Sequence, residues 1–284
     1  MKVDESSSAG REYHVTDRPW RPSDTERFID SGADAVVMSF RRDTGRQITL
    51  DFLRDLPGLR RVDIQGPLKD DTPAFDVPDL EALGLYTGCA RPLRLDRSPG
   101  LRILAVDDRP GLDEVGRLTN LASLTVARFK RTDVTFLGEH PSLELLRLEG
   151  RHGRVSLDGV GRCPALTEVA VYELSVDALE PLAALHQLRE LYITPEPKTP
   201  PERPWNLEAV TGLPQLQWLK LGAPVQSLAP LRQAKHLVSV GFGSVVDGDL
   251  TPLLDLPPSV TVVVDDAPHH SHTVREIARL RGAA

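Results

Sequence analysis

Apolar and polar positions alternate on two rulers along this chain. Between Ser175 and Ile193, SVDALEPLAALHQLRELYI, leucines at 179, 182, 185, 188 and 191 step by three, and Leu191 and Ile193 then step by two. A step of three suits a tight 3₁₀ turn, in which every third side chain eclipses, and a step of two suits a strand with one buried face. The same unit recurs from Leu50 onward, anchored at Leu59, Leu80, Leu101, Leu121, Leu143, Leu166, Leu188, Leu216, Leu237 and Ser259. Successive gaps are 21, 21, 20, 22, 23, 22, 28, 21 and 22 residues. Three and five residues past each anchor stand Val62 and Ile64, Leu83 and Leu85, Leu104 and Val106, Leu124 and Val126, Leu146 and Leu148, and then Val169 and Val171. Leu191 and Ile193, Leu219 and Leu221, Val240 and Phe242, and Val262 and Val264 complete the series, and every pair is apolar.

About sixteen residues remain in each repeat beyond a strand of about five, enough for a parallel crossover but barely for a full helix with two loops. The pattern therefore predicts an α/β repeat solenoid over residues 45–266: a curved, concave parallel sheet of 10–11 strands backed by short 3₁₀ turns on the convex side. Helical caps close both ends. Ser23-Asp24-Thr25-Glu26 has capping-box spacing ahead of Phe28 and Ile29, Gly32 can end that helix, and Val36, Met38 and Phe40 form the inward set of a following strand, so residues 19–44 read as the N-terminal cap. Thr273-Val274-Arg275-Glu276 repeats the capping-box spacing, with Val274, Ile277 and Leu280 on one face, so residues 267–284 read as a C-terminal capping helix. Residues 1–18, polar and aperiodic with Ser6, Ser7 and Ser8 in a row, read as a mobile tail.

LEPLAALHQLRELYI (Leu179 to Ile193) and SLAPLRQAKHLVSVGF (Ser227 to Phe242) resemble the leucine-rich repeat family, in its bacterial, internalin-like form with repeats near 22 residues. The resemblance spans about residues 45–265 and implies the solenoid fold and a role in protein recognition. One departure stands out. The asparagine usual just after the strand is replaced by residues such as Pro67, Gly88, Arg109, Phe129 and Arg151, so the asparagine ladder that ties neighbouring coils in the family is missing.

Composition narrows the function classes. The chain has 284 residues, a formal charge of -7 and 40% hydrophobic residues, which argues for a folded protein with no general attraction to nucleic acid. The N-terminus lacks the apolar core of a secretory signal, and the longest strongly apolar run, Val260 to Val264, is too short for a bilayer, so no membrane association and a cytoplasmic location are expected. Cys89 and Cys163 make neither a disulfide framework nor a zinc spacing, and Cys163 falls in a core column. His269, His270 and His272 with Asp265 and Asp266 read as a polar turn before the capping helix rather than a metal site. Arg128, Lys130 and Arg131 read as a solvated basic loop. Gly241-Phe242-Gly243 lacks the third glycine and the helix of a dinucleotide loop. No cofactor, metal or catalytic residue is expected.

Strand residues between the inward pairs face outward. In the second to fourth repeats they are mostly small (Ala82, Gly84, Ala105, Ser123, Thr125, Ala127), as they are in the ninth (Ser239, Gly241, Gly243). Repeats five to eight instead present Arg147, Glu149, Glu168, Tyr172, Glu190, Tyr192, Trp218 and Lys220. Tyr172, Tyr192 and Trp218 should step diagonally across three strands, beside a stiff proline-rich insertion, Pro195 to Pro204, that accounts for the 28-residue gap. Glu168 and Glu190 occupy equivalent positions about 5 Å apart, near the spacing of a retaining glycosidase, with Lys220 as an internal counter-charge. The expectation is a non-enzymatic scaffold that binds a protein partner, one carrying arginine or lysine, on the concave face of repeats five to eight. A carbohydrate-active hydrolase using the two glutamates, or a structural subunit of an assembly, are the alternatives.

Overall fold

The structure, a computed structural model, describes residues 10–41, 47–196, 198 and 200–282. Ser6 to Ser8, the 44/45 boundary, Pro197, Thr199 and the last two residues lie outside the described set. The chain forms two compact units, Met1–Asn120 and Leu121–Ala284.

The first unit contains β1 (Glu12–Thr16), α1 (Pro22–Ser31), β2 (Ala35–Ser39), β3 (Arg61–Gln65), β4 (Ala82–Tyr86) and β5 (Ile103–Asp107). All five strands pair in parallel, each with the next in sequence. β1 corrects the sequence expectation, which assigned residues 12–16 to a mobile tail and stopped at 10–11 strands. EYHVT buries only Val15, too little to register as a period, yet its backbone completes the edge of β2. The α1 start also differs from the expected Ser23/Glu26 box. Asp24 is the capping acid: it accepts the Arg21 N–H at 2.8 Å, and it is chelated by Arg18 (2.6 and 2.8 Å) and the Tyr13 hydroxyl (2.9 Å). A buried carboxylate can be held there only because every lone pair is engaged.

The second unit contains β6 (Ser123–Ala127), β7 (Leu145–Glu149), β8 (Arg154–Val155), β9 (Glu168–Tyr172), β10 (Ser175–Val176) and β11 (Glu190–Thr194). α2 (Glu208–Thr211), β12 (Trp218–Leu221), β13 (Ser239–Phe242), β14 (Thr261–Val264) and α3 (Val274–Leu280) follow. The long strands β6, β7, β9, β11, β12, β13 and β14 pair in that order, all parallel. The leucine ruler becomes physical in the turn before β11: Leu182, Leu185 and Leu188 N–H groups donate in series to the carbonyls of Leu179, Leu182 and Leu185 at 2.9–3.0 Å, and all four side chains are buried. Each i→i−3 bond turns the next leucine inward.

Every inward pair is buried in the core except Val262, which is half-buried in the last strand. The last anchor shifts as well, since Ser259 is exposed and Val260 takes the buried place. α3 begins with the Thr273/Glu276 capping box. A second, shorter parallel ladder flanks the main strands and left no mark in the leucine pattern: β8 pairs β10, and single bridges join Asp133 to Ser156 and Trp205 to Val225 to Val245.

Within the first unit, a buried polar network stands where the asparagine ladder is missing. Arg109 pairs with Asp71 at 2.9–3.0 Å and donates to the Cys89 carbonyl, while Thr87 donates to Asp71 and Asp107 accepts the Gly88 N–H. Arg109 is 7% exposed and Asp71 is fully buried. These residues come from three successive coils, so the pair staples across a whole repeat.

Two predictions follow from these buried charges. Arg109→Ala leaves Asp71 an uncompensated buried carboxylate and should lower unfolding stability by about 3–5 kcal/mol, whereas Arg109→Met with Asp71→Leu should lose much less; denaturant titration separates the two. Asp24 is held well below the usual carboxylate range, first by Arg18, so its contribution is present above the unfolded value of about 3.9 and is lost as pH falls below it. Asp24→Asn should therefore melt lower at neutral pH and lose less on acidification than the native chain, measured by thermal melts from neutral to acid pH.

Candidate functional site

Strand register sorts the outward residues of the second unit into three columns. Glu168, Glu190, Trp218 and Ser239 lie abreast in the first, and Arg147, Ala170, Tyr192, Lys220 and Gly241 in the second. Glu149, Tyr172 and Thr194 form the third. Tyr172, Tyr192 and Trp218 thus stand on adjacent strands, one column apart at each step, and all three are half-buried.

The charged groups are engaged with one another. Arg147 crosses from β7 to β9, where Nη2 donates to Glu168 Oε1 at 3.2 Å and the guanidinium carbon sits 6.0 Å from the Tyr172 ring centroid. Ala170 lies directly opposite Arg147 on β9 and is fully buried; its small side chain leaves room for that crossing, a role that a search for large outward residues passes over. On β11, the Tyr192 hydroxyl donates to Glu190 Oε2 at 2.9 Å across one strand repeat. Burial, followed by that hydrogen bond and the Glu190 charge, pushes the Tyr192 phenol well up. Burial raises Tyr172 as well, against the pull of Arg147. Glu149 is raised by burial, only partly offset by Arg147, and Glu173 repels it further.

Glu173 is a second residue that the sequence reading missed. It follows β9 with φ of 57°, a left-handed conformation that a glutamate seldom adopts, and its N–H donates to the Thr194 carbonyl at 2.7 Å. It brings the acids around this face to four, Glu149, Glu168, Glu173 and Glu190, against Arg147 and Lys220.

Lys220 does not act as the expected counter-charge. It is exposed, makes no ion pair among the described residues, and faces Gly241 on β13, where a Cβ would lie 3.4 Å from its Cγ. Arg147 neutralises Glu168 instead, because Ala170 lets the longer, planar side chain reach diagonally. Glu168 and Glu190 are abreast as expected, with one carboxylate paired to an arginine and the other to a phenol.

Described residues of the proline-rich insertion contact the flank. Arg154 of β8 donates to the Pro200 carbonyl at 3.4 Å and pairs with Glu202 at 3.5 Å, and His152 lies 3.6 Å from Glu196. Its return is pinned by Trp205, 2% exposed, whose indole N–H donates to the Val176 carbonyl at 3.0 Å. A tryptophan closing a proline run was the available signal for this anchor.

The other sequence candidates have structural partners. His269 Nε2 lies 2.8 Å from the Val245 carbonyl and His270 Nε2 accepts the Val245 N–H at 3.3 Å, so the two histidines close the end of the short ladder. Asp266 accepts the Val274 N–H. No grouping of three or more metal-binding side chains occurs among the described residues. The Arg131 guanidinium lies over Phe136 at 5.0 Å. Cys89 and Cys163 are buried free thiols, and burial pushes Cys163 up to about 11. Among the described residues no helix is long and apolar enough to cross a membrane.

No protein-family model and no curated protein matches the sequence. Solved structures do. InlF, an internalin of Listeria monocytogenes, superposes with a TM-score of 0.58 at 19% identity, over 82% of this chain and 70% of that one. The ectodomain of the Arabidopsis thaliana membrane receptor kinase GASSHO1/SCHENGEN3, in complex with Casparian strip integrity factor 2, gives 0.56 at 15% identity over 89% of this chain and 35% of its own. The PEPR1–AtPEP1 complex gives 0.53 at 13% identity over 90% and 40%. The chain spans less than half the length of those two chains. Parallel strands, serial 3₁₀ turns and these superpositions agree: the chain has the leucine-rich repeat fold, the solenoid of the internalins.

Proposed function

We propose that this chain is a non-enzymatic recognition scaffold that binds a protein partner on the outward sheet face of β7, β9, β11 and β12. The observation that carries the reading is the diagonal of Tyr172, Tyr192 and Trp218, three large amphipathic side chains half-exposed on adjacent strands. Such residues lose little conformational entropy on burial and dominate interface energetics. Arg147, Glu149, Glu168, Glu190 and Lys220 surround the diagonal, and with Glu173 the acids outnumber the bases, which favours a partner that presents arginine or lysine. GASSHO1/SCHENGEN3 is itself a repeat ectodomain seen with a bound factor, which supports recognition as the use of the fold. The cytoplasmic reading belongs to this proposal and draws support from the two unpaired thiols.

Catalysis by the two glutamates is disfavoured by their partners. Glu168 already accepts from the Arg147 guanidinium at 3.2 Å and Glu190 from the Tyr192 hydroxyl at 2.9 Å, contacts that account for both carboxylates as structural members of the face.

Affinity capture from native lysate with the full chain, compared with Tyr192→Ala/Trp218→Ala, tests the site. The double variant should keep its melting temperature and lose about 2 kcal/mol or more of partner affinity; unchanged affinity refutes the assignment. Glu168→Gln/Glu190→Gln should weaken the same complex several-fold, more at low salt than at high. Turnover of a glycoside substrate by the native chain that vanishes in this variant would replace the scaffold reading with an enzyme.

A further inference from the structure

A cavity of about 250 Å³ lies between β14 and α3. Pro258, Val260, Val262, Val274, Ile277 and Ala278 supply its apolar wall, and Ser259, Thr261 and Arg281 its polar edge. Arg281 is the unusual member. It is 8% exposed, yet no carboxylate pairs with it among the described residues, and burial alone depresses its guanidinium. Its Nη2 donates to the carbonyls of Pro257 and Val260 at 2.5 and 2.7 Å, while its Nε–H is buried with no partner. Elsewhere in the chain the buried arginine Arg109 has Asp71 as its counter-ion. Two backbone carbonyls and the carbonyl end of α3, which Arg281 caps, favour its positive charge without supplying a formal counter-ion, so a carboxylate in the cavity would make the ion pair that Arg281 lacks among the described residues.

We propose that this cavity binds a small carboxylic acid with a short apolar chain, its carboxylate accepting from the Arg281 guanidinium and its chain lying on Val262, Val274 and Ile277. An inorganic anion would satisfy the guanidinium but leave the apolar wall unused. A cavity of about 150 Å³ accommodates benzene, so this one has room for an acid of six or so carbons. A free short-chain acid and the carboxyl-terminal leucine of a peptide present the same chemistry. None of its lining residues belongs to the proposed partner face, and different variants test the two proposals, so they fail separately.

Hexanoate titrated into the full chain, followed by calorimetry and by the melting temperature, should bind saturably and raise the melting temperature. Hexanol, with the same chain and no charge, should bind about tenfold or more weakly, as expected from losing a charge-assisted hydrogen bond. Ala278→Leu fills the wall with a good helix former and leaves Arg281 in place, so it should abolish hexanoate binding without lowering the melting temperature. Gly-Gly-Leu binding more tightly than hexanoate, and only as the free acid rather than the amide, would assign the site to a chain terminus; the reverse order would assign it to a free acid. Absence of saturable binding by either acid, equal binding of hexanol and hexanoate, or undiminished binding by a folded Ala278→Leu chain would overturn the proposal.

Discussion

No single coil of this protein can bury its own leucines. An inward pair such as Leu191 and Ile193 is covered on one side by Val169 and Val171 and on the other by Leu219 and Leu221, and each cover needs its own neighbour in turn. Burying one such side chain is worth about 1.5–3 kcal/mol, a return that exists only once the adjacent coil is in register. Parallel pairing enforces that register through the backbone, and a slip by one residue would turn every inward pair to the outside. The outward columns are the unavoidable by-product of this arrangement.

Polar groups fill the places where the leucine code is silent. The Asp71–Arg109 pair, joined by Thr87 and Cys89 from the coil between, takes over a cross-coil role that repeated asparagines serve in related folds. In the second unit the short flanking ladder does comparable work, gathering the Trp205, Val225 and Val245 backbones and ending on His269 and His270. The staple occurs once among the described residues and so has no period, whereas the ladder recurs from coil to coil through Val155, Val176, Val225 and Val245, valines that a leucine ruler passes over.

The proposed partner face combines rigidity with unused apolar area. Tyr192 is braced by Glu190, and Arg147 is braced by Glu168 and lies over Tyr172, so these side chains are pre-positioned before any encounter. Glu149 and Glu173 lie where their charges add. Pro200 and Trp205, at the end of the proline-rich insertion, are tied to the flank through Arg154 and the Val176 carbonyl, and the face draws its character from strand side chains.

The coil, the main repeat strands and every inward pair but the last were legible in the sequence, because a period of three that changes to two admits one backbone reading. The diagonal of Tyr172, Tyr192 and Trp218 was legible for the same reason. Strand β1 was hidden because a five-residue strand with one buried valine has no periodicity to detect. The choice of Asp24 over Ser23 and Glu26 at the α1 start depended on Arg18 and Tyr13 arriving from outside the helix. The exchange of Lys220 for Arg147 as the partner of Glu168 depended on Ala170, a small residue whose effect is to leave space. Short-range periodicity reports which way each side chain points. Which charges meet, and which buried arginine gains a counter-ion and which is left without one, is decided by side-chain reach across coils, and only the folded arrangement brings those groups together.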